Sequence, residues 1–367
     1  MTKPLIIAYY LPQYHPTPNN DKWWGKGFTE WTNVAKAQKL YKGHYQPHIP
    51  ADLGFYDLRV PEVREQQAEM ARYAGVSAFC YYHYWFEHGN EELDMPFKEV
   101  LRLGKPDFPF CLCWANESWY NKMWNKDGAV VSKKLLAEQK YLGVDDNRKH
   151  FESLLTAFKD KRYLRYEDKI VFVIYRPLLF EKVTEFISQW RKLAKDNGLN
   201  DFYFIGYTYD VENEYDKIVN LGFDAVNSCG INNFKNVQHG ALTQLKSKIK
   251  DYFRAILNRP EIYKYKDVSP FFLKKDFDSK ENVLPTLIPN WDHTPRSGAN
   301  GYLFENSRPE YFSSHLNSVK EVLGSKKNQL CFLKSWNEWG EGNYVEPDLK
   351  YGWGFLDALK KFCDLRD

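Results

Sequence analysis

Charge of one sign is nearly absent from this chain. Its 51 Lys and Arg stand against 48 Asp and Glu, a formal +3 over 367 residues. So even a balance carries no electrostatic footprint for nucleic acid or an anionic membrane, and neither partner is expected. Long apolar runs are missing too: none reaches the ~18 residues of a membrane-crossing helix. The apolar start Leu5–Leu11 is short, and no small-residue cleavage site follows, so it reads as a β-strand rather than a signal peptide. Cysteine is sparse. Six residues, at 80, 111, 113, 229, 331 and 363, form no CxxC pair. Most sit in apolar runs as small core residues, and a reducing, cytoplasmic setting is expected. No GxGxxG or P-loop follows any apolar run, so no nucleotide or other cofactor is expected. No repeat of roughly 20–50 residues and no Gly/Ser- or Pro-rich linker divides the chain. A single domain over residues 1–367 is expected.

What the chain has in quantity is aromatic: 12 Trp, 26 Tyr and 25 Phe. Such rings build large cores, and they also line clefts that stack on the C–H faces of sugars. Composition alone does not choose between these uses. Short apolar runs recur at Leu5–Tyr10, Val76–Tyr82, Phe108–Trp114, Ile170–Tyr175, Phe202–Tyr207, Phe223–Asn227, Leu284–Pro289 and Leu330–Trp336. Several are apolar on both faces, as parallel strands under helices must be. Helical patterns lie between them. Pro61–Ala74 starts on a proline and stops at Gly75, though Gln67 interrupts its apolar face. Phe180–Asn197 and Ser313–Leu323 are two more. The alternation predicts a (β/α)8 TIM barrel, with a doubly wound sheet as runner-up. Long insertions are expected at 11–57, 115–150 and 229–283, the last with a helix at Ala241–Leu257.

Barrels of this type carry their chemistry at the carboxyl ends of the strands. Those ends are rich in polar and aromatic groups here, and the opposite ends are plain. Candidate glycan contacts are Tyr10, His83, Tyr84, Trp114, Asn116, Glu117, Tyr175, Arg176, Tyr207, Trp291, Asp292, Trp336 and Asn337. Trp23, Trp24 and Trp31 in the first insertion read equally as a lid over a sugar site or as a satellite apolar cluster, with Trp24 counted among the contacts. The eighth strand end, Ser335-Trp336-Asn337-Glu338-Trp339-Gly340-Glu341-Gly342, concentrates the chemistry. Glu338 and Glu341 can both turn into one cleft, on opposite sides of one pyranose ring. Paired carboxyls in unlike environments are what glycosidic cleavage requires, one to protonate the leaving oxygen and one to act as base or nucleophile. Flanking indoles can raise the pKa of one of them. A second pairing, Glu117 with Glu338 across the barrel, ranks below it.

The segment 337–342, followed by Glu346-Pro347, resembles the catalytic motif of glycoside hydrolase family 99, the endo-α-mannosidases and endo-α-mannanases. Over nearly its whole length the chain is similar to WbsX-type proteins, a related group associated with bacterial surface-polysaccharide biosynthesis. The strings that carry this are Ala8–Gln13, Trp23–Asn33, Gly43–His48, Phe79–Trp85 and Cys113–Glu117. The resemblance implies a (β/α)8 fold and a retaining mechanism acting on an α-linked glycan. In that mechanism one carboxylate deprotonates the substrate's own 2-hydroxyl, which displaces the leaving group. By motif position Glu338 would be that base and Glu341 the acid/base. The sequence departs from the hydrolases at Gly340, where they carry histidine. The alternatives are a glycosyltransferase of O-antigen or surface-polysaccharide assembly and a non-catalytic glycan-binding barrel.

No metal is expected. His44 and His48 are four apart, but Pro47 between them spoils a helical pair. His83, His88 and His293 lie near strand ends as hydrogen-bonding groups, and His15 and His239 read as surface or loop residues. Arg176 and Arg296 are candidates for an anionic substituent or for structural ion pairs. Asp145-Asp146, Lys246–Lys250 and Lys274-Lys275 read as solvated.

Overall fold

The computed structural model describes residues 3–124, 130–237 and 257–364. Eight parallel strands close into a barrel. They are β1 (Leu5–Tyr10), β2 (Val76–Trp85), β3 (Phe110–Trp114), β4 (Lys169–Ile174), β5 (Phe202–Thr208), β6 (Ala225–Ser228), β7 (Val283–Leu287) and β8 (Leu330–Leu333). Closure is made by β1, which pairs with β8 through Ile7 and Phe332 and with β2 through Tyr9 and Cys80. All eight apolar runs are strands, and the fold is the expected (β/α)8 barrel.

Neighbouring side chains on a strand point to opposite faces. Inside the barrel Tyr9 stacks on Tyr82 and Phe332, and its hydroxyl donates to Asn227 Oδ1 at 2.7 Å. Outside it, Tyr10 bonds Gln67, Tyr81 meets Phe97 and Trp114 meets Phe186, each on a surrounding helix. The helices that position the site are α1 (Pro18–Trp24), α2 (Glu30–Lys36), α3 (Pro61–Ala74) and α5 (Val144–Lys159), with α4 (Met95–Leu103) between the last two. The α3 bounds are those the sequence predicted. Gly75 caps it at φ +79°, where a Cβ would also strike Cys363 Sγ. Gln67 breaks the apolar pattern because it is a buried connector, accepting from Tyr10 and donating to Glu346 Oε1 at 2.6 Å. Farther along are α6 (Val183–Asp196), α7 (Val211–Asn220), α8 (Pro309–Gly324) and α9 (Gly354–Cys363). The α8 helix starts a turn before the predicted Ser313, at a proline suited to a first helical position.

The first insertion carries α1 and α2. The second carries the antiparallel hairpin Trp119–Trp124 with Val130–Ala137. It ends earlier than predicted, because α5 already begins at Val144. Asp146 belongs to that helix and is buried, accepting from Trp85 Nε1 and the His88 amide rather than facing solvent. In the third insertion Glu261–Lys264 pairs with Tyr302–Glu305. The proposed helix at 241–257 and the residues His239 and Lys246–Lys250 lie outside the described residues, Leu257 excepted. All six cysteines are buried free thiols. No helix among the described residues is long and apolar enough to cross a membrane.

Candidate active site

A cleft of about 940 Å³ opens at the carboxyl ends of the strands. Its floor holds Tyr82, Lys334, Glu338 and Glu341, and its walls include Trp24, Tyr84, Glu117, Trp119, Tyr175 and Arg296. The glutamates arrive there through a short ribbon after β8. Asn337-Glu338 pairs antiparallel with Asn343-Tyr344, and a 3₁₀ turn at Trp339–Glu341 joins the two. Gly342 closes the turn at φ +53°. A Cβ there would lie 2.6 Å from Asp292 Cβ, so both its dihedral and its space require glycine.

A buried carboxyl anchors this turn from behind. Glu346 accepts from the indoles of Trp336 (2.9 Å) and Trp339 (2.7 Å), from Gln67 and from Tyr56. Trp339 also stacks on Tyr344 with ring centroids 3.7 Å apart. Asn337 is a second anchor, accepting from the Leu11 amide at 2.8 Å and donating to the Leu11 carbonyl.

At the front, Glu338 and Glu341 hydrogen-bond to each other. They converge as expected, but they touch, with no room for a pyranose ring between them. Lys334 Nζ lies 3.3 Å from Glu338 and 3.8 Å from Glu341. Arg296 Nη1 lies 2.6 Å from Glu341, and its Nε bonds Glu30 at 2.8 Å. Burial and the neighbouring Glu341 charge push Glu338 up to about 7. Burial acts on Glu341 in the same sense, but Arg296 and Lys334 outweigh it and hold Glu341 below the usual range. Of the two, Glu338 is therefore the readier to hold a proton. The roles implied by motif position need it on Glu341.

Strand parity sorts the other candidates. Tyr84, Asn116, Glu117, Tyr175 and Trp24 border the cleft. Asn116 holds the loops together there, through Tyr141 and the backbone of Arg176. Glu117 is engaged by Arg176 at 2.7 Å. Tyr207 is buried beneath Tyr175, with centroids 4.7 Å apart. That removes Tyr207 from the cleft lining, and seven further placements are corrected. Tyr10 points outward to Gln67. His83 points outward to His150, Nε2 to Nε2 at 2.8 Å, and is neutral, burial lowering it to about 3. Trp114 packs against Phe186 and donates to the Trp85 carbonyl. Trp336 and Asn337 are the anchors just described. Trp291 stacks on Tyr302, and Asp292 is bound by His44 and Gln46, both at 2.8 Å. These last two border a separate small cavity of about 60 Å³. His15 is buried against the Pro12 carbonyl rather than at the surface. The first-insertion tryptophans divide: Trp24 borders the cleft, Trp23 meets Trp119, and Trp31 is core against Tyr14 and Trp339.

Sequence reasoning missed Lys334 and Glu30. The signal for Lys334 was parity, since it stands two residues after inward-facing Phe332. Nothing local marks Glu30, whose placement depends on how α2 folds over the barrel mouth. Among the described residues no cluster of His, Cys, Asp and Glu is arranged to hold a metal.

The family model described as Glycosyltransferase WbsX matches residues 6–359. The chain belongs to the WbsX family. WxcX, an uncharacterised protein of Xanthomonas campestris pv. campestris, is 34% identical to this WbsX-family chain over 359 residues, 97% of the chain and 49% of WxcX. The chain therefore spans about half the length of the curated relatives it matches. Among solved structures, a glycoside hydrolase-like protein aligns over 100% of the WbsX-family chain and 95% of its own, with TM-score 0.58 and 15% identity. A GH99 endo-alpha-mannosidase from Bacteroides thetaiotaomicron aligns over 98% and 95%, with TM-score 0.53 and 15% identity. At that identity the likeness speaks for the barrel fold.

Proposed function

We propose that this WbsX-family barrel cleaves or transfers an α-linked glycan bearing a free 2-hydroxyl, using Glu338 and Glu341 as one unit. The contact between the two carboxyls carries this reading. A double displacement by carboxylate attack wants its carboxyls ~5–5.5 Å apart, and inversion ~6.5–9.5 Å. Participation of the 2-hydroxyl acts on two oxygens borne by neighbouring carbons, the leaving oxygen on C1 and the hydroxyl on C2. Two adjacent carboxyls suit that demand. One takes the 2-hydroxyl proton while the other gives a proton to the departing oxygen. Lys334 limits the charge built up as the proton moves. Trp24, Tyr84 and Trp119 supply ring faces and edges for the sugars. Water or an acceptor hydroxyl then opens the strained intermediate from the same side, so hydrolysis and transfer share one site.

The test is turnover of α-mannosyl fluoride, whose 2-hydroxyl is trans to the leaving group as in-line displacement requires, beside its 2-O-methyl counterpart. The expected result is release of fluoride from a free 2-hydroxyl donor and none from the blocked one. Equal turnover of the blocked donor would end the 2-hydroxyl reading. The name of the family model supports a second reading, a glycosyltransferase of surface-polysaccharide assembly. Saturable nucleotide-sugar binding, with every glycosyl fluoride inert, would favour it over the first.

A further inference from the structure

Several cations serve the cleft, and they are not equally engaged. Lys334 is buried against Glu338 and Glu341, at 3.3 and 3.8 Å. Arg296 is held at both ends, its Nε by Glu30 and its Nη1 by Glu341. Lys36, on α2, is solvent-exposed at the border. Arg176, after β4, differs from all three. Its Nε donates to Glu117 Oε1 at 2.7 Å, and no described residue accepts a hydrogen bond from either Nη. Its side chain is 38% exposed. It stands in the chain between Tyr175 and Leu179, which border the cleft, and its partner Glu117 borders it too.

An exposed arginine with free donors is ordinarily a flexible, hydrated group. This one is fixed from three sides. Asn116, buried after β3, accepts from the Arg176 amide at 2.7 Å and donates to its carbonyl at 3.0 Å, which sets the backbone. The guanidinium carbon lies 5.5 Å from the ring centroid of Tyr175 and 5.6 Å from that of Tyr209, within cation–π range. Those two rings are tied to each other through their hydroxyls at 2.6 Å. Glu117 holds Nε. The rotamer freedom that an arginine gives up when it grips a ligand is already lost here, so binding need not remove it. What remains is a planar fork with two unengaged NH₂ groups at the wall of the cleft.

Resting on the reading of that cleft as a glycan site, we propose that Arg176 is a specificity-determining residue that takes an oxyanion substituent, a carboxylate or a phosphate, on a sugar of the bound glycan. The substrate is then an acidic glycan. Carboxylate and phosphate present two oxygens at the spacing of two guanidinium donors, where a sugar hydroxyl presents one. Glu117 on Nε balances the charge of the empty site and leaves both Nη groups for the ligand. Arg176 touches neither Glu338 nor Glu341. Between them stand the rings of Tyr175 and of Tyr82 on the cleft floor, packed edge to face with centroids 6.2 Å apart. The anion is therefore held away from the bond that breaks.

The experiment reads binding and needs no turnover. Methyl α-mannoside is the neutral probe, and its uronate and its 6-phosphate are the charged ones. Each is titrated against the full chain by ligand-detected NMR. At least one charged probe is expected to bind about tenfold or more tighter than the neutral one, and the arm that gains names the substituent. Arg176→Met should erase this preference while leaving the neutral probe unchanged. Arg176→Lys, which keeps the charge and loses the fork, should retain only part of it. Melting curves confirm that each variant is folded. Equal binding of the three probes, or binding of none, overturns the proposal. So does a preference that survives Arg176→Met, which would move the anion to Arg296 or Lys334. Inert glycosyl fluorides would sink the proposed chemistry and leave this preference in place, whereas fluoride release with no preference would sink the acidic substrate alone.

Discussion

Two carboxyl sites lie back to back across the turn after β8, and they are built on opposite plans. Glu346, behind it, is met by four donors from Trp336, Trp339, Gln67 and Tyr56, and among the described residues no cation pairs with it. Glu338 and Glu341, in front, are met by each other and by two cations, and Glu341 keeps an edge toward the cleft. Saturated hydrogen bonding fixes a carboxyl in place and leaves it nothing to offer a ligand. Balanced charge with few donors leaves lone pairs free and a proton poised to move. The difference separates the residue that holds the turn from the pair proposed to work on a substrate.

The comparison breaks most sharply in activity. Glu338→Gln and Glu341→Gln should each lower fluoride release by about 10²–10⁴-fold without loss of melting temperature. Glu117→Gln should have a mild effect, because its carboxylate serves Arg176. A near-total loss in Glu117→Gln with a mild one in Glu341→Gln would move the acid to the third strand. Next in size is stability. Glu346→Ala leaves four buried donors without their acceptor and should cost about 3 kcal/mol or more in denaturant unfolding. An unfolding curve that matches the native one would mean the turn is held elsewhere.

A pH effect sharpens the contrast further. Glu338 is raised in the folded chain to about 7, against an ordinary 4.5. The folded state then binds this proton more tightly than the unfolded one. Its contribution is fully present below the unfolded value and is lost as pH rises from about 4.5 through about 7. Glu338→Gln should flatten that part of the melting-temperature profile, and an unchanged slope would assign it to Glu346 instead. The smallest effect belongs to Tyr10→Phe, which removes one buried hydrogen bond to Gln67 and should cost about 1 kcal/mol. Imino-sugar binding, measured by calorimetry, should not change. Weakened binding would put Tyr10 back at the cleft.

Much of this was legible before folding. The eight strands announced themselves because buried parallel strands must be apolar on both faces, and α3 because its proline and glycine mark both ends. The proposed catalytic pair stood out through the company of Trp, Asn and Gly. The residues bordering the cleft were read less well, for a definite reason. Residues near a strand end were taken together, while the backbone sends alternate side chains to opposite faces. Tyr9 and Tyr10 are neighbours in the chain, yet one fills the barrel and the other faces a helix. His83 and Tyr84 divide in the same way.

Local chemistry therefore determined which segments become strands and helices and which residues carry catalytic potential, since periodicity, turn residues and side-chain type act over a few residues. Tertiary structure alone decided which glutamate is held by an arginine and which stands nearer a lysine. The partners that set those states, Glu30 on α2 and Arg296 after β7, lie hundreds of positions apart, and no local pattern encodes a distance that only barrel closure creates.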